Sequence, residues 1–127
     1  MSTQPATFLT PEQYLEIDRK AEYKSEYYQG EMFAMAGVRE AHNLLVVNLI
    51  VILGQQLFER PGQLYPSDMR VMTPAGLYTY PDASAVCLEP RFADNSFDIL
   101  LNPALIVEVL SPSTEAYDRG RKAEQYR

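Results

Sequence analysis

The hydrophobic positions change period several times along the chain, and each change marks an element. After a loose lead-in from Met1 to Leu9, Thr10-Pro11-Glu12-Gln13 has the makings of a helix start. Threonine can cap, proline suits the first helical position, and glutamine stands three residues after the cap. A short helix to about Lys20 is expected. Ser25 to Gln29 and Glu31 to Met35 then read as two strands around Gly30, a hairpin. Val38 to Glu59 reads as one long helix. Leu44, Val47 and Val51 share one face, and Leu45, Leu49 and Ile52 share a neighbouring one, so the apolar arc is wide and the helix is expected to be largely buried. Pro61-Gly62 stops it. Gln63 to Thr73 is strand-like, Thr73-Pro74-Ala75-Gly76 is a turn, and Leu77 to Leu88 is the next strand region. Glu89 to Asn102 reads as a long loop. Ala104 to Leu110 is apolar at odd and even positions alike, the pattern of a strand covered on both faces. A last helix is expected from about Glu115.

The order helix, hairpin, long helix, three strands, helix implies an α/β chain of the α+β kind, with a mixed sheet between helical layers. Its 127 residues suit one domain over 1–127, and a hydrophobic fraction of 46% is ordinary for a globular protein. The net charge of −6 argues against a broad electrostatic grip on nucleic acid. A local basic strip survives between Asp118 and Arg127, where Arg119, Arg121, Lys122 and Arg127 face Asp118 and Glu124. The single cysteine, Cys87, excludes an internal disulfide, and its apolar neighbours suggest a packed thiol. There is no Cys/His cluster with zinc spacing. Neither a signal peptide nor a segment long enough to span a membrane is visible, so a cytoplasmic protein is expected.

Glu108 interrupts the apolar run Ala104-Leu105-Ile106-Val107-Glu108-Val109-Leu110. An ionised carboxylate in such a setting costs several kcal/mol unless something cationic holds it. Asp82 occupies a similar setting in Tyr80-Pro81-Asp82-Ala83-Ser84-Ala85-Val86. Two acids on two apolar strands, followed by a helix carrying Lys122, suggest a divalent-metal site. Magnesium prefers hard oxygen ligands and usually takes one or two carboxylates from the protein. Asp82 and Glu108 would supply them, the backbone carbonyl of Val109 is a third oxygen, and Lys122 could orient or deprotonate a water.

Pro81-Asp82 followed by Glu108-Val109-Leu110 resembles the PD-(D/E)XK nuclease signature, with Leu110 where the lysine usually stands. The longer string from Pro103 to Thr114, then Asp118, Lys122 and Tyr126 at four-residue steps, closely resembles the Uma family of restriction-endonuclease-like proteins, abundant in cyanobacteria. Lys24-Ser25-Glu26-Tyr27-Tyr28-Gln29-Gly30-Glu31, His42-Asn43 and Ser67-Asp68-Met69-Arg70-Val71 agree with it. The resemblance implies a restriction-endonuclease-like core behind an N-terminal helix and β-hairpin. It implies catalytic roles for Asp82, Glu108, Lys122 and Glu26, with Mg2+ or Mn2+ on Asp82, Glu108 and Val109 and support from His42, Asp68 and Tyr126. The substrate it implies is DNA, and a homodimer is the expectation for cutting both strands. In the family another strand, carrying a tryptophan motif, follows the lysine helix. This chain stops at Arg127 without a tryptophan, so a C-terminally truncated domain is expected.

Blander readings stand beside these. Glu108 could face solvent on an edge strand, Asp82 could be a turn acid after proline, and Lys122 could be a surface residue paired with Asp118. Glu31 reads as a solvated strand end. His42 could be structural, and Asp68 with Arg70 could be a surface ion pair. The function expected is that of a magnesium-dependent DNA endonuclease, or alternatively of a catalytically inactive binding or assembly module retaining the nuclease fold. A metal-dependent hydrolase of another phosphoester is a third reading.

Overall fold

A computed structural model describes residues 8–35, 40–110 and 115–127. Helix α1 (Pro11–Lys20) opens on the expected capping box: the Thr10 hydroxyl accepts from the Gln13 amide at 3.1 Å, and the Gln13 side chain accepts from the Thr10 amide at 2.8 Å. Strands β1 (Ser25–Tyr28) and β2 (Glu31–Ala34) form the expected hairpin. Its two turn residues, Gln29 and Gly30, both have positive φ, 48° and 88°, which matches the right-handed twist of the strands. Glu31 is exposed, as a solvated strand end should be.

The later strands are shorter and more numerous than the sequence pattern implies. Gln63 to Thr73 divides into β3 (Gln63–Pro66) and β4 (Arg70–Met72), and Leu77 to Leu88 into β5 (Tyr78–Thr79) and β6 (Ala83–Val86). Each division carries the chain from one sheet to another. The first sheet has the order β2-β1-β5-β4-β7, and the second the order β3-β6-β8. Two sheets thus replace the single mixed sheet expected. Glu89 to Asn102 is not wholly loop, because it contains β7 (Ile99–Leu100), which runs parallel to β4 at the sheet edge. Ile99 and Leu100 are buried there.

Two apolar clusters hold the sheets. Tyr14 from α1 stacks on Tyr27 with ring centroids 5.0 Å apart, and Tyr78 and Ile99 complete this cluster. The second cluster joins Val71 and Leu100 of the first sheet to Val86 of the second.

Three expectations about burial are overturned. Helix α2 (Glu40–Leu57) forms where expected, yet no described residue in it is buried, and Leu44, Leu45, Val47, Val51 and Ile52 are all exposed. It rests chiefly against β3. A wide apolar arc therefore faces outward because only one flank has a partner among the described residues. Strand β8 (Leu105–Val107) is not covered on both faces; it is an edge strand, and Leu105 is 44% exposed. Cys87 is exposed, because β6 ends at Val86 and the chain turns out of the sheet there. Among the described residues, no helix is long and apolar enough to cross a membrane. The helical C-terminal segment comprises α3 (Glu115–Tyr117), a π-helical turn (Asp118–Lys122) and α4 (Ala123–Gln125).

Candidate active site

The crossing between the sheets places the acids. The chain leaves β5, passes through Tyr80-Pro81-Asp82 and enters β6, which pairs antiparallel with β8 through Ala83 and Val107. One step further along that register sets Asp82 opposite Glu108, just past the end of β8. The Val109 amide donates to Asp82 Oδ2 at 2.7 Å, tying the two segments together. Asp82 and Glu108 then open into one cavity of about 580 Å3, which Glu26, His42, Val109 and Lys122 also line. Residues more than twenty positions apart in the chain meet because a sheet edge and a crossover end at the same place.

Lys122 enters from the π-helical turn with only 4% of its side chain exposed. Its ammonium lies 2.5 Å from Glu108 Oε2, 2.9 Å from Glu26 Oε2 and 4.0 Å from Asp118 Oδ1. The blander reading of Lys122 as an exposed helix residue fails, and a buried ammonium needs these partners to stay charged. Tyr126 donates to Glu108 Oε2 at 2.8 Å. Glu26 lies in the middle of β1 and also accepts from the Thr79 hydroxyl.

Burial pushes the Glu108 carboxyl above its ordinary value, with Lys122 and Tyr126 working against that rise. For Lys122, burial acts downward, but Glu108 and Glu26 outweigh it and hold the ammonium above its usual range. One lysine therefore serves more than one buried carboxylate and remains a cation at neutral pH. Burial raises Tyr126, and Glu108 adds to the rise, so Tyr126 stays a phenol and a donor.

His42, on the first turn of α2, reaches the same place. Its Nε2 lies 2.9 Å from the Val109 carbonyl and 3.3 Å from Asp82 Oδ2. A carbonyl can only accept, so Nε2 carries a proton in this contact. Two of the three oxygens expected for a cation, from Asp82 and Val109, thus lie near one His42 nitrogen.

The donor set suits a hard divalent cation: two carboxylates and a backbone carbonyl, all oxygen. Among the described residues, no three His, Cys, Asp or Glu side chains stand together at ligating distance. Glu108 Oε2 is engaged by Lys122 and Tyr126, so a cation would share that carboxylate with them.

Asp68 lies elsewhere. It is 86% exposed in its side chain and pairs with Lys24 at 2.8 Å. The blander reading of an Asp68–Arg70 ion pair fails, because Arg70 turns inward to Asp18 at 2.7 Å and to Asp98 at 3.1 Å. The sequence pattern carries no signal for Thr79, which holds Glu26. Gln125 is a wall residue of the cavity that lies one helical turn past Lys122 and could have been found from that spacing alone.

The family model described as "Uma2: Putative restriction endonuclease" matches residues 11–127. Two relatives from Synechocystis sp. (strain ATCC 27184 / PCC 6803 / Kazusa) are the uncharacterized protein sll1609, 39% identical over 120 residues, and the uncharacterized protein slr1290, 37% identical over 123 residues. The matches take in 94% and 96% of this chain, and 68% and 64% of the two relatives. The crystal structure of a "putative nuclease belonging to DUF820" from Anabaena variabilis ATCC 29413 superposes with a TM-score of 0.70 at 17% identity, over 90% of this chain and 65% of that one. The chain thus spans about two thirds of the length of the proteins it matches. The solved structure shares this chain's fold, a restriction-endonuclease-like arrangement of sheets and helices, and with the family model matching residues 11–127, the chain belongs to the Uma2 family.

Proposed function

We propose that the chain is a magnesium-dependent DNA endonuclease, with manganese as a substitute ion. The observation that carries this reading is the position of the Lys122 ammonium, which comes from the helix after β8 and lies between Glu108 and Glu26 in the cavity that Asp82 also lines. Leu110 stands at the usual lysine position of the signature, and Lys122 brings an ammonium to the cavity from another element. Asp82, Glu108 and the Val109 carbonyl would hold the cation. Bound there, it would neutralise charge on the scissile phosphate and make a nearby water more acidic.

The protein's own groups supply the rest. Lys122, held protonated, offers positive charge to the phosphate and donates a hydrogen bond to an attacking water. Glu26, kept in place by Thr79, sets the lysine's position. Tyr126 holds the Glu108 carboxylate from one side. His42 fixes the Val109 carbonyl and Asp82 relative to one another. Asp68, exposed and paired with Lys24, would support only from outside the cavity. On this reading the chain works in the cytoplasm, and cutting both strands takes two copies.

Nicking of supercoiled plasmid with magnesium or manganese tests it. The wild type should nick, and Asp82→Asn should lower the rate at least a hundredfold while leaving the thermal transition in place. Wild-type protein that cuts no DNA and shows no magnesium or manganese binding by calorimetry would leave the second reading, a binding module that keeps the fold. Leu110 at the usual lysine position is the observation favouring that second reading.

A further inference from the structure

We propose that the cavity beside Glu108 and Lys122 receives the base of an unpaired nucleotide, so that the preferred substrate is single-stranded or locally unpaired DNA. This rests on the nuclease reading and names its substrate class.

The β1–β2 hairpin supplies the first argument. Glu26 pairs across the strands with Phe33. Directly opposed residues project from the same face of a sheet, so the face that carries Glu26 also carries an aromatic ring. Phe33 is 44% exposed and lines the cavity with Tyr28, Met35 and Leu77. One wall is thus apolar and partly aromatic, while the other holds Asp82, Glu108 and Lys122. A phosphodiester backbone has nothing to offer an apolar wall. The flat face of a base does, and it is free only where the base is unstacked. In an intact duplex the bases are stacked inside and show only their edges in the grooves.

Gln125 gives a second, independent argument. Its Nε2 lies 3.3 Å from the Tyr28 hydroxyl. Its Oε1 is buried and has no hydrogen-bond partner among the described residues, although the residue lines the cavity. A buried acceptor left without a donor is costly, so at a residue that lines the cavity a small turn of the side-chain amide toward a ligand bringing an N–H or O–H would be favourable. The amino and imino groups on a base edge bring such donors.

Charge agrees. Duplex binding draws most of its affinity from cations spread along the phosphates. The chain carries −6, and the cavity lining holds five carboxylates against two cations. A site with little charge for a duplex gains more from stacking one base than from tracking two backbones.

The test is fluorescence anisotropy on the whole chain, with calcium in place of magnesium. The probes are a short single strand, the same sequence as a matched duplex, and that duplex with a one-base bulge, each carrying a fluorescent adenine analogue. The single strand and the bulge should bind about tenfold more tightly than the matched duplex, and the analogue's emission should change only when it is unpaired. Phe33→Ala should weaken single-strand binding about tenfold, Phe33→Tyr should restore it, and duplex binding should not move. Gln125→Leu gives a second variant on a different wall, expected to weaken the single strand alone. Equal affinity for single strand and duplex, no measurable binding of the unpaired probes, or indifference to Phe33→Ala and Gln125→Leu would overturn the inference. Failure of the nuclease reading looks different: unpaired probes would still bind in this pattern, but no metal would support cleavage of any of them. Cleavage of intact duplex as fast as of single strand would instead retain the nuclease and remove the base pocket.

Discussion

A lysine ammonium with 4% of its side chain exposed lies between Glu108 and Glu26, and its burial among these charges bears directly on stability. Taking away one member of a buried charge group leaves the others uncompensated, which costs far more than replacing the whole group with neutral side chains. Lys122→Ala should therefore destabilise the fold by about 3–5 kcal/mol, read from urea unfolding. Adding Glu26→Gln and Glu108→Gln to Lys122→Met should recover most of that loss while cleavage stays absent. A Lys122→Ala cost below about 1 kcal/mol would place the ammonium in solvent. At this scale the sequence was informative about residue type: Asp82, Glu108, Lys122, Glu26, His42 and Tyr126 all take part in one connected arrangement. β8 is an edge strand, and the burial of Glu108 comes from the helix that folds over it, so the carboxylate is desolvated by Lys122 and Tyr126's own segment rather than by two covered sheet faces.

Elements were legible where the signal is local. The Thr10–Gln13 capping box and the Gln29-Gly30 turn depend on residues within three or four positions, and both formed as read. The strands after α2 were not, because a strand's end depends on which sheet the chain joins next. Pro66-Ser67-Asp68 and Tyr80-Pro81-Asp82 look like interruptions of one strand and are crossings between two sheets. Helix α2 shows the same limit from the other side: periodicity measures the width of an apolar arc and says nothing of what lies against it. Leu44 and Val51, seven residues apart on one stripe, are 57% and 52% exposed. Lysine at either position should change stability by no more than about 0.5 kcal/mol in denaturant unfolding, as for other surface substitutions. A loss above about 2 kcal/mol would show instead that this face is covered in solution.

Across the whole molecule, a charged network ties α1 to the first sheet and reaches the cavity at Tyr80, and nothing in the sequence pattern pairs its members. Arg70 on β4 bonds Asp18 of α1 at 2.7 Å, and Tyr80 donates to the same Asp18 oxygen at 2.5 Å, just before the crossing that delivers Asp82. Arg19 and Arg70 both reach Asp98, at 2.8 Å and 3.1 Å, at the entrance to β7. The Arg19 hydrogen bond, against a smaller cost of burial, holds the Asp98 carboxyl below its ordinary 3.8. A carboxyl depressed on folding contributes stability that is present above its unfolded value and is lost as pH falls through the folded one. Asp98→Asn should therefore be less stable than the wild type at pH 6. The gap between them should stay constant down to about pH 4 and narrow below it, as the wild-type carboxyl takes up its proton and the two proteins become alike. Urea midpoints measured from neutral to acid pH read this directly. A gap that held its size through the acid limb would mean that Asp98 gains nothing from its ionised form, and that α1 and β7 are joined by the apolar Tyr14–Ile99 contact alone.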